Sequence, residues 1–410
     1  MDPVANPYTP NAGARPDALV GRDDQLETFD VLLRRIARGR SEQSMIITGL
    51  RGVGKTVLLG KFREKAQAQD WSVLDYEVVK HDDQAFRMDV ALRLRTALLE
   101  LAPRVRWTDR FRRAAAALSS FTVSVDATGQ FQAGLNVDAI EGLGDHGDLS
   151  MDLTDVLVEL GEAAKDKGSG VVLLLDEVQF LSRAQLEALI IALHKTVQRR
   201  LPITLVGAGL PQIAELAGDA KSYAERLFKF PQIGDLSAED ARRALAEPAD
   251  AEGAAFDADA LDLAVEVTGG YPYFLQELGY AIWGVAPTSP ITRTDVEDAV
   301  DLYQAKLDSS FFRVRLDRAT ELQTAYLRAM AELGPEPQKA ADVAAVLGRE
   351  STQLGPTRAE LIDMGLLYTP QHGYAAFTVP HFDKFMLRVL PDLVIPPRRQ
   401  RRARSTGSKQ

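Results

Sequence analysis

Cysteine is absent from all 410 positions, so disulfides, thiolate metal sites and thiol catalysis are excluded. Histidine is sparse. His81, His146, His194, His372 and His381 are scattered, and no pair has a metal-ligand spacing. No run approaches the ~20 apolar residues of a membrane span. The N-terminal MDPVANPYTPNAGARPD has neither a basic start nor an apolar stretch, so it does not read as a signal peptide. A cytoplasmic chain with no membrane partner is expected. Core material is ample: 46% of the residues are apolar, and the length suits two or three domains.

The net charge of −10 is unevenly spread. Residues 398–410, RRQRRARSTGSKQ, hold six basic side chains and no acidic one, which leaves a more acidic body. Such a tail reads either as a nucleic-acid arm or as a solvated, disordered end.

Periodicity divides the chain. Residues 1–18 carry Pro3, Pro7, Pro10 and Pro16 and read as a flexible, extended lead-in. Residues 19–235 alternate strands and helices. A helix is expected over Asp23–Ile36, a buried strand over Ser44–Thr48, a helix over Thr56–Gln69 and a strand over Trp71–Val79. Helices follow at Phe86–Leu101, Phe111–Leu118 and Leu153–Lys165, and further strands at Val171–Leu175, Ile203–Val206 and Phe228–Ile233. Phe121–Val137 alternates around Asp126-Ala127-Thr128-Gly129, the pattern of a β-hairpin insertion. From Ser237, which with Asp240 forms a capping pattern, the segments are helical, giving a lid over 236–316. Residues 317–392 offer three helices and two strand-like runs, the order of a winged helix-turn-helix, before a basic tail over 393–410. The fold class is α/β: a P-loop parallel sheet with a hairpin insertion, a helical lid and a winged helix.

Residues 49–56 read GLRGVGKT, which matches G-x-x-x-x-G-K-[ST] between an expected strand and an expected helix. Gly49, Gly52 and Gly54 let the backbone curl so that its N–H groups, with those of Val53 and Val57, face phosphates. The helix N-terminus adds its dipole. Lys55 supplies a point charge to the β- and γ-phosphates, and Thr56 a hydroxyl to Mg²⁺. A chance match in a chain this long has odds of roughly one in a hundred. VVLLLDE, residues 171–177, is the second half. Five apolar residues bury a central strand, and Asp176 emerges at its carboxyl end, where it can hold the metal. Glu177 can then deprotonate the attacking water. The expected ligands are ATP and Mg²⁺.

Together these motifs resemble those of STAND and AAA+ P-loop ATPases. Leu19-Val20-Gly21-Arg22-Asp23 resembles their opening hhGRE box, which implies that Gly21 and Arg22 lie near the adenine. Gly270-Tyr271-Pro272 resembles the G-x-P of the STAND lid and implies a nucleotide contact at Pro272. Tyr223-Ala224-Glu225-Arg226 stands where this class carries an arginine finger, so Arg226 reads either as a catalytic finger or as a solvated charge. FTVPHFDKFMLR, residues 377–388, is similar to the end of the winged helix in bacterial and archaeal origin-recognition-like ATPases. Two positions depart from the resemblance. Gly207-Ala208-Gly209 stands where many members place a polar sensor; Thr204 lies earlier on that strand, so water positioning falls to Glu177 and Gln179. Pro272 stands near the usual place of a second sensor arginine.

The segment STQLGPTRAELIDM, 351–364, offers Thr357 and Arg358 but also Glu360 and Asp363, a weakly basic face for reading bases. DNA and protein docking both remain open for this module, as does a homo-oligomer. The leading reading is a slow ATPase acting as a nucleotide-dependent switch. The alternative is a scaffold that binds nucleotide without significant turnover and works by protein association.

Overall fold

A computed structural model describes residues 1–11, 13–79, 82–101, 108–123 and 137–397. The basic tail, 398–410, lies outside the described residues. Two compact units are present, residues 1–303 and 304–410.

The first unit opens with α1 (Asp23–Ala37), β1 (Ser44–Thr48), α2 (Lys55–Gln67) and β2 (Ser72–Glu77). Three helices follow, α3 (Asp83–Leu101), α4 (Asp109–Val123) and α5 (Leu149–Lys167), before β3 (Val171–Asp176). The sheet is completed by α6 (Arg183–Gln198), β4 (Ile203–Gly209), α7 (Ile213–Ala220), α8 (Ala224–Leu227) and β5 (Phe228–Lys229). The five strands are parallel in the order β2-β3-β4-β1-β5. Hydropathy explains the order. β1, β3 and β4 are buried at every residue and lie inside, whereas β2 alternates buried and less buried residues and takes an edge. This arrangement carries the ends of β1, β3 and β4 to one rim.

Helices α9 (Ala238–Ala251), α10 (Ala258–Thr268), α11 (Pro272–Val285) and α12 (Arg293–Lys306) then replace strands. Ser237 caps α9 by accepting from the Asp240 N–H at 3.1 Å. Among the described residues no helix is long and apolar enough to cross a membrane.

Two expectations are corrected. The hairpin placed at 121–137 does not begin as a strand: residues 121–123 close α4, and 124–136 lie outside the described residues. Phe121 and Val123 do alternate, but Phe111, Ala114, Ala115, Leu118 and Phe121 also recur at helical spacing, and all five are buried in the core shared with α5. Burying that whole stripe favours the helix. The lead-in over 1–18 is not free either. The Met1 ammonium donates to Ala286 O at 2.6 Å, Trp283 Nε1 to Asp2 O at 2.8 Å, and the Tyr8 hydroxyl to Leu245 O at 2.6 Å. Tyr8 is fully buried, edge-on to Trp283, so one aromatic anchor overrides four prolines. Tyr8→Ala is expected to destabilise this unit by about 3 kcal/mol, read as a lowered thermal midpoint. An unchanged midpoint would mean that the segment adds no stability.

The second unit holds a π-helical turn (Leu307–Phe312), α13 (Arg313–Leu316), α14 (Glu321–Leu333), β6 (Gln338–Lys339) and α15 (Ala340–Val346). It ends with α16 (Ser351–Asp363), β7 (Leu367–Tyr368), β8 (Tyr374–Phe377) and α17 (Phe382–Val389). Its sheet is antiparallel in the order β6-β8-β7. This unit starts earlier than the expected residue 317. Phe312 stacks on Phe385, with centroids 5.1 Å apart, and meets Phe382 edge-on at 5.8 Å, which binds the 307–312 turn to α17.

Candidate functional site

The site is built at the rim where β1, β3 and β4 end. β1 runs out at Thr48, and the loop 49–54 turns into α2 through Gly54, which caps the helix with φ 92° and ψ 22°. The first N–H groups of α2 have no side-chain cap, the condition under which a helix N-terminus can take an anion. The loop is held at its start by Gly49 N–H donating to Gly209 O of β4 at 3.1 Å.

Lys55 folds back over the loop. Its ammonium donates to Gly49 O at 2.9 Å and to Leu50 O at 2.8 Å, and the residue is only 6% exposed. Burial lowers its pKa, and the nearby Glu177 and Asp176 carboxylates pull it back up. A polyphosphate beside it would relieve the same penalty. Thr56, the next residue, is exposed, and its hydroxyl donates to Asp176 Oδ2 at 2.6 Å. Asp176 is 8% exposed. Burial raises its pKa, while the bonds from Thr56 and from the Glu177 N–H lower it. The structure thus joins Thr56 and Asp176, 120 residues apart in sequence, in one direct contact. Glu177 follows in the left-handed region at φ 54° and ψ 38°, its N–H on Asp176 Oδ1 at 2.8 Å and its carboxylate accepting from Gln179 Nε2. Val53 is buried beneath the loop and Val57 half-buried on the first turn of α2.

The opening box and the lid reach the same loop. Arg22 is buried, and its guanidinium donates to Gly21 O (3.0 Å), Val53 O (3.1 Å) and Gly234 O (2.7 Å). Burial lowers its pKa, and Asp240 and Asp235 offset this. Arg22 is therefore engaged with three backbone carbonyls, one of them in the loop. Pro272 is the first residue of α11. Its neighbours make the contacts: the Tyr271 hydroxyl donates to Arg51 O, and Tyr273 N–H to Gly52 O at 3.2 Å. Gly52, at φ 88°, lies so close that a Cβ there would stand 3.0 Å from Tyr273 Cβ. Tyr271 and Tyr273 escaped the sequence reading. The only hint was that Tyr271 is the middle residue of the Gly270-Tyr271-Pro272 motif and Tyr273 follows it, and tyrosine in a helical lid ordinarily reads as core.

Arg226 is not brought to this rim. Its carbonyl accepts from Gln43 Nε2 at 3.0 Å, and Phe228 pairs with Ser44, so it lies by the opposite end of β1. The length of β1, about 3.3 Å per residue, separates it from the loop of its own chain. Thr204 likewise sits toward that far end, buried, with its hydroxyl 3.1 Å from Ser44 Oγ.

The sheet, the loop and the strand-end acids define a P-loop ATPase fold. Residues 18–206 match the family model described as an AAA ATPase domain. Residues 309–386 match a domain of unknown function, DUF8462. No curated protein matches the chain. In fold it is similar to the Walker-type ATPase PABY2304 of Pyrococcus abyssi, at 15% identity and a TM-score of 0.57, over 91% of this chain and 97% of that one. Weaker likenesses are to Cdc6p of Pyrobaculum aerophilum (15% identity, TM-score 0.47, 95% and 98% covered) and to Orc1 of Aeropyrum pernix, solved in complex with DNA (17%, 0.45, 92% and 94%).

Proposed function

We propose that this chain is a cytoplasmic nucleotide-dependent switch that binds ATP–Mg²⁺ at residues 49–56 and hydrolyses it slowly to ADP and phosphate. The observation that carries the reading is the 2.6 Å hydrogen bond from Thr56 to Asp176. It puts a hydroxyl at the phosphate-facing helix end and a carboxylate at a central strand tip side by side. Two hard oxygens of this kind fit Mg²⁺, which takes one or two protein ligands and keeps the rest for water and phosphate. When bound, the ion neutralises charge on the phosphate oxygens. The chain's own groups do the remaining work. Backbone N–H groups of the loop and the Lys55 ammonium hold and orient the phosphates. Asp176 and Thr56 hold the ion's place. Glu177 accepts the proton of the attacking water. Gly21, Arg22 and Pro272 frame the base side of the nucleotide. The apolar tip of β4 supports slow turnover, since it adds no polar side chain to the water.

The test is a single-turnover ATP assay combined with size exclusion in ADP and in ATP. Slow phosphate release with a change of hydrodynamic size supports a switch. ATP bound without release would leave the scaffold reading.

For Arg226, a role as an arginine finger requires a second copy, because it lies at the far end of its own sheet. Activity per chain should then rise with protein concentration. Mixing Arg226→Ala with Lys55→Ala chains should restore turnover of the order of a quarter of wild type. Concentration-independent activity without rescue assigns Arg226 to the surface.

A second reading is DNA association through the 304–410 unit, taken as a winged helix. The order of α14, α15 and α16 with the antiparallel β6-β8-β7 sheet, followed in sequence by the six basic residues of 398–410, supports it. Six basic residues in 398–410 would give a log–log salt slope near about −5 on duplex DNA. Removing 398–410 should flatten that slope. Absence of binding at low salt by the full chain discards DNA and leaves protein docking.

A further inference from the structure

The tip of β4 reads Gly207-Ala208-Gly209, and it runs between β1 and β3, with Gly207 opposite Leu175 and Gly209 opposite Thr48. It has no polar side chain of its own. Gln179, in the turn after Glu177, fills that place. Its amide oxygen accepts from Leu210 N–H at 3.0 Å, and its amide nitrogen donates to Glu177 Oε2. The orientation of the amide is forced: a backbone N–H can only donate and a carboxylate can only accept. A Cβ on Gly209 would stand 2.8 Å from Gln179 Oε1 and 2.8 Å from Val178 Cγ2. Glycine at 209 therefore leaves the space that the amide occupies. Glu177 itself is held in the left-handed region, which non-glycine residues rarely adopt, by its N–H bond to Asp176. With the Gly49-to-Gly209 bond, a continuous path joins the start of the loop, the tip of β4, Gln179 and Glu177.

We infer that Gln179 is the positioning residue of the hydrolytic site: its amide bridges the end of β4 to the Glu177 carboxylate and fixes that carboxylate toward the attacking water. This rests on the hydrolysis reading above. The role that a polar side chain on β4 would play at the water is here taken by a side chain acting through the base. The small side chains at 207–209 then follow from the site's construction.

Two variants test it. Gln179→Leu removes both hydrogen bonds at similar volume. Gly209→Ala leaves Gln179 in the chain but drives its amide out. Each should lower kcat by about 10- to 100-fold, the usual effect of a misplaced catalytic group. For Gln179→Leu the ATP Kd should stay within about twofold and Tm within a few degrees, because Gln179 bonds none of the phosphate loop's donors. Gly209→Ala is read on kcat, since Gly209 O accepts from Gly49 N–H and the added Cβ would also meet Val178. Wild-type kcat in both variants, or a raised kcat showing that Gln179 restrains Glu177, overturns the inference. So does a joint fall of kcat, ATP affinity and Tm in Gln179→Leu, which marks a structural role. If Glu177→Gln is inactive while Gln179→Leu turns over normally, only this inference fails. If the wild type shows no turnover, or Glu177→Gln turns over normally, the hydrolysis reading fails first.

Discussion

Lys55→Ala is expected to weaken ATP binding by about 10- to 150-fold, the worth of one charge-assisted hydrogen bond of roughly 1.5–3 kcal/mol. The ammonium lies along the loop on two of its carbonyls, and it is carried on a residue only 6% exposed. Its loss is not a pure deletion of charge. Gly49 O and Leu50 O lose the donor that now ties them together at 2.9 and 2.8 Å. Gly49 is buried and Leu50 half-buried, so that second effect should cost about 1–3 kcal/mol, read as a fall in Tm. Titration with ATP and a melting curve on the same sample separate the two effects. Equal ATP affinity in the variant and the wild type would sink the assignment of the nucleotide to residues 49–56.

Glu177→Gln should keep ATP and lose turnover. An amide preserves the side chain's size and its place beside Gln179 but cannot accept a proton. General-base catalysis contributes about 10²- to 10⁴-fold, so kcat should fall by that amount while the ATP Kd stays within about twofold. Asp176→Asn should behave differently. It removes the charge beside Thr56, and the loss should appear as a raised Mg²⁺ requirement. Hydrolysis by Glu177→Gln at the wild-type rate would remove Glu177 from the role of base. If the switch reading holds, the same variant in ATP should elute in size exclusion as the ATP-state species.

Some elements were legible because their signals are local. Ser44–Thr48 is an unbroken apolar run stopped by glycine, and β1 covers those residues. Glu321–Leu333 has helical spacing after Thr320, and α14 starts under a capping box from that threonine. Other elements depended on competition. Phe121 suited both a strand and a helix, and the core against α5 decided for the helix. Tyr8 sat in a proline-rich stretch with no periodicity, so no local signal marked it as an anchor.

The candidate site divides the same way. The phosphate loop and the acid pair are visible in sequence because phosphate chemistry demands fixed residue types within a few positions of one another. That spacing, with the apolar strands around it, determined the α/β sheet and pointed to a phosphate-bearing ligand. The contacts that tune the site join residues far apart in the chain. Arg22 reaches Gly234 across 212 positions, and Tyr271 reaches Arg51 across 220. Leu210 meets Gln179 across 31, through a cleared glycine. No spacing rule links such pairs. They form because the parallel strand order brings the ends of β1, β3 and β4 to one rim, where backbone carbonyls and N–H groups taken out of water must find partners.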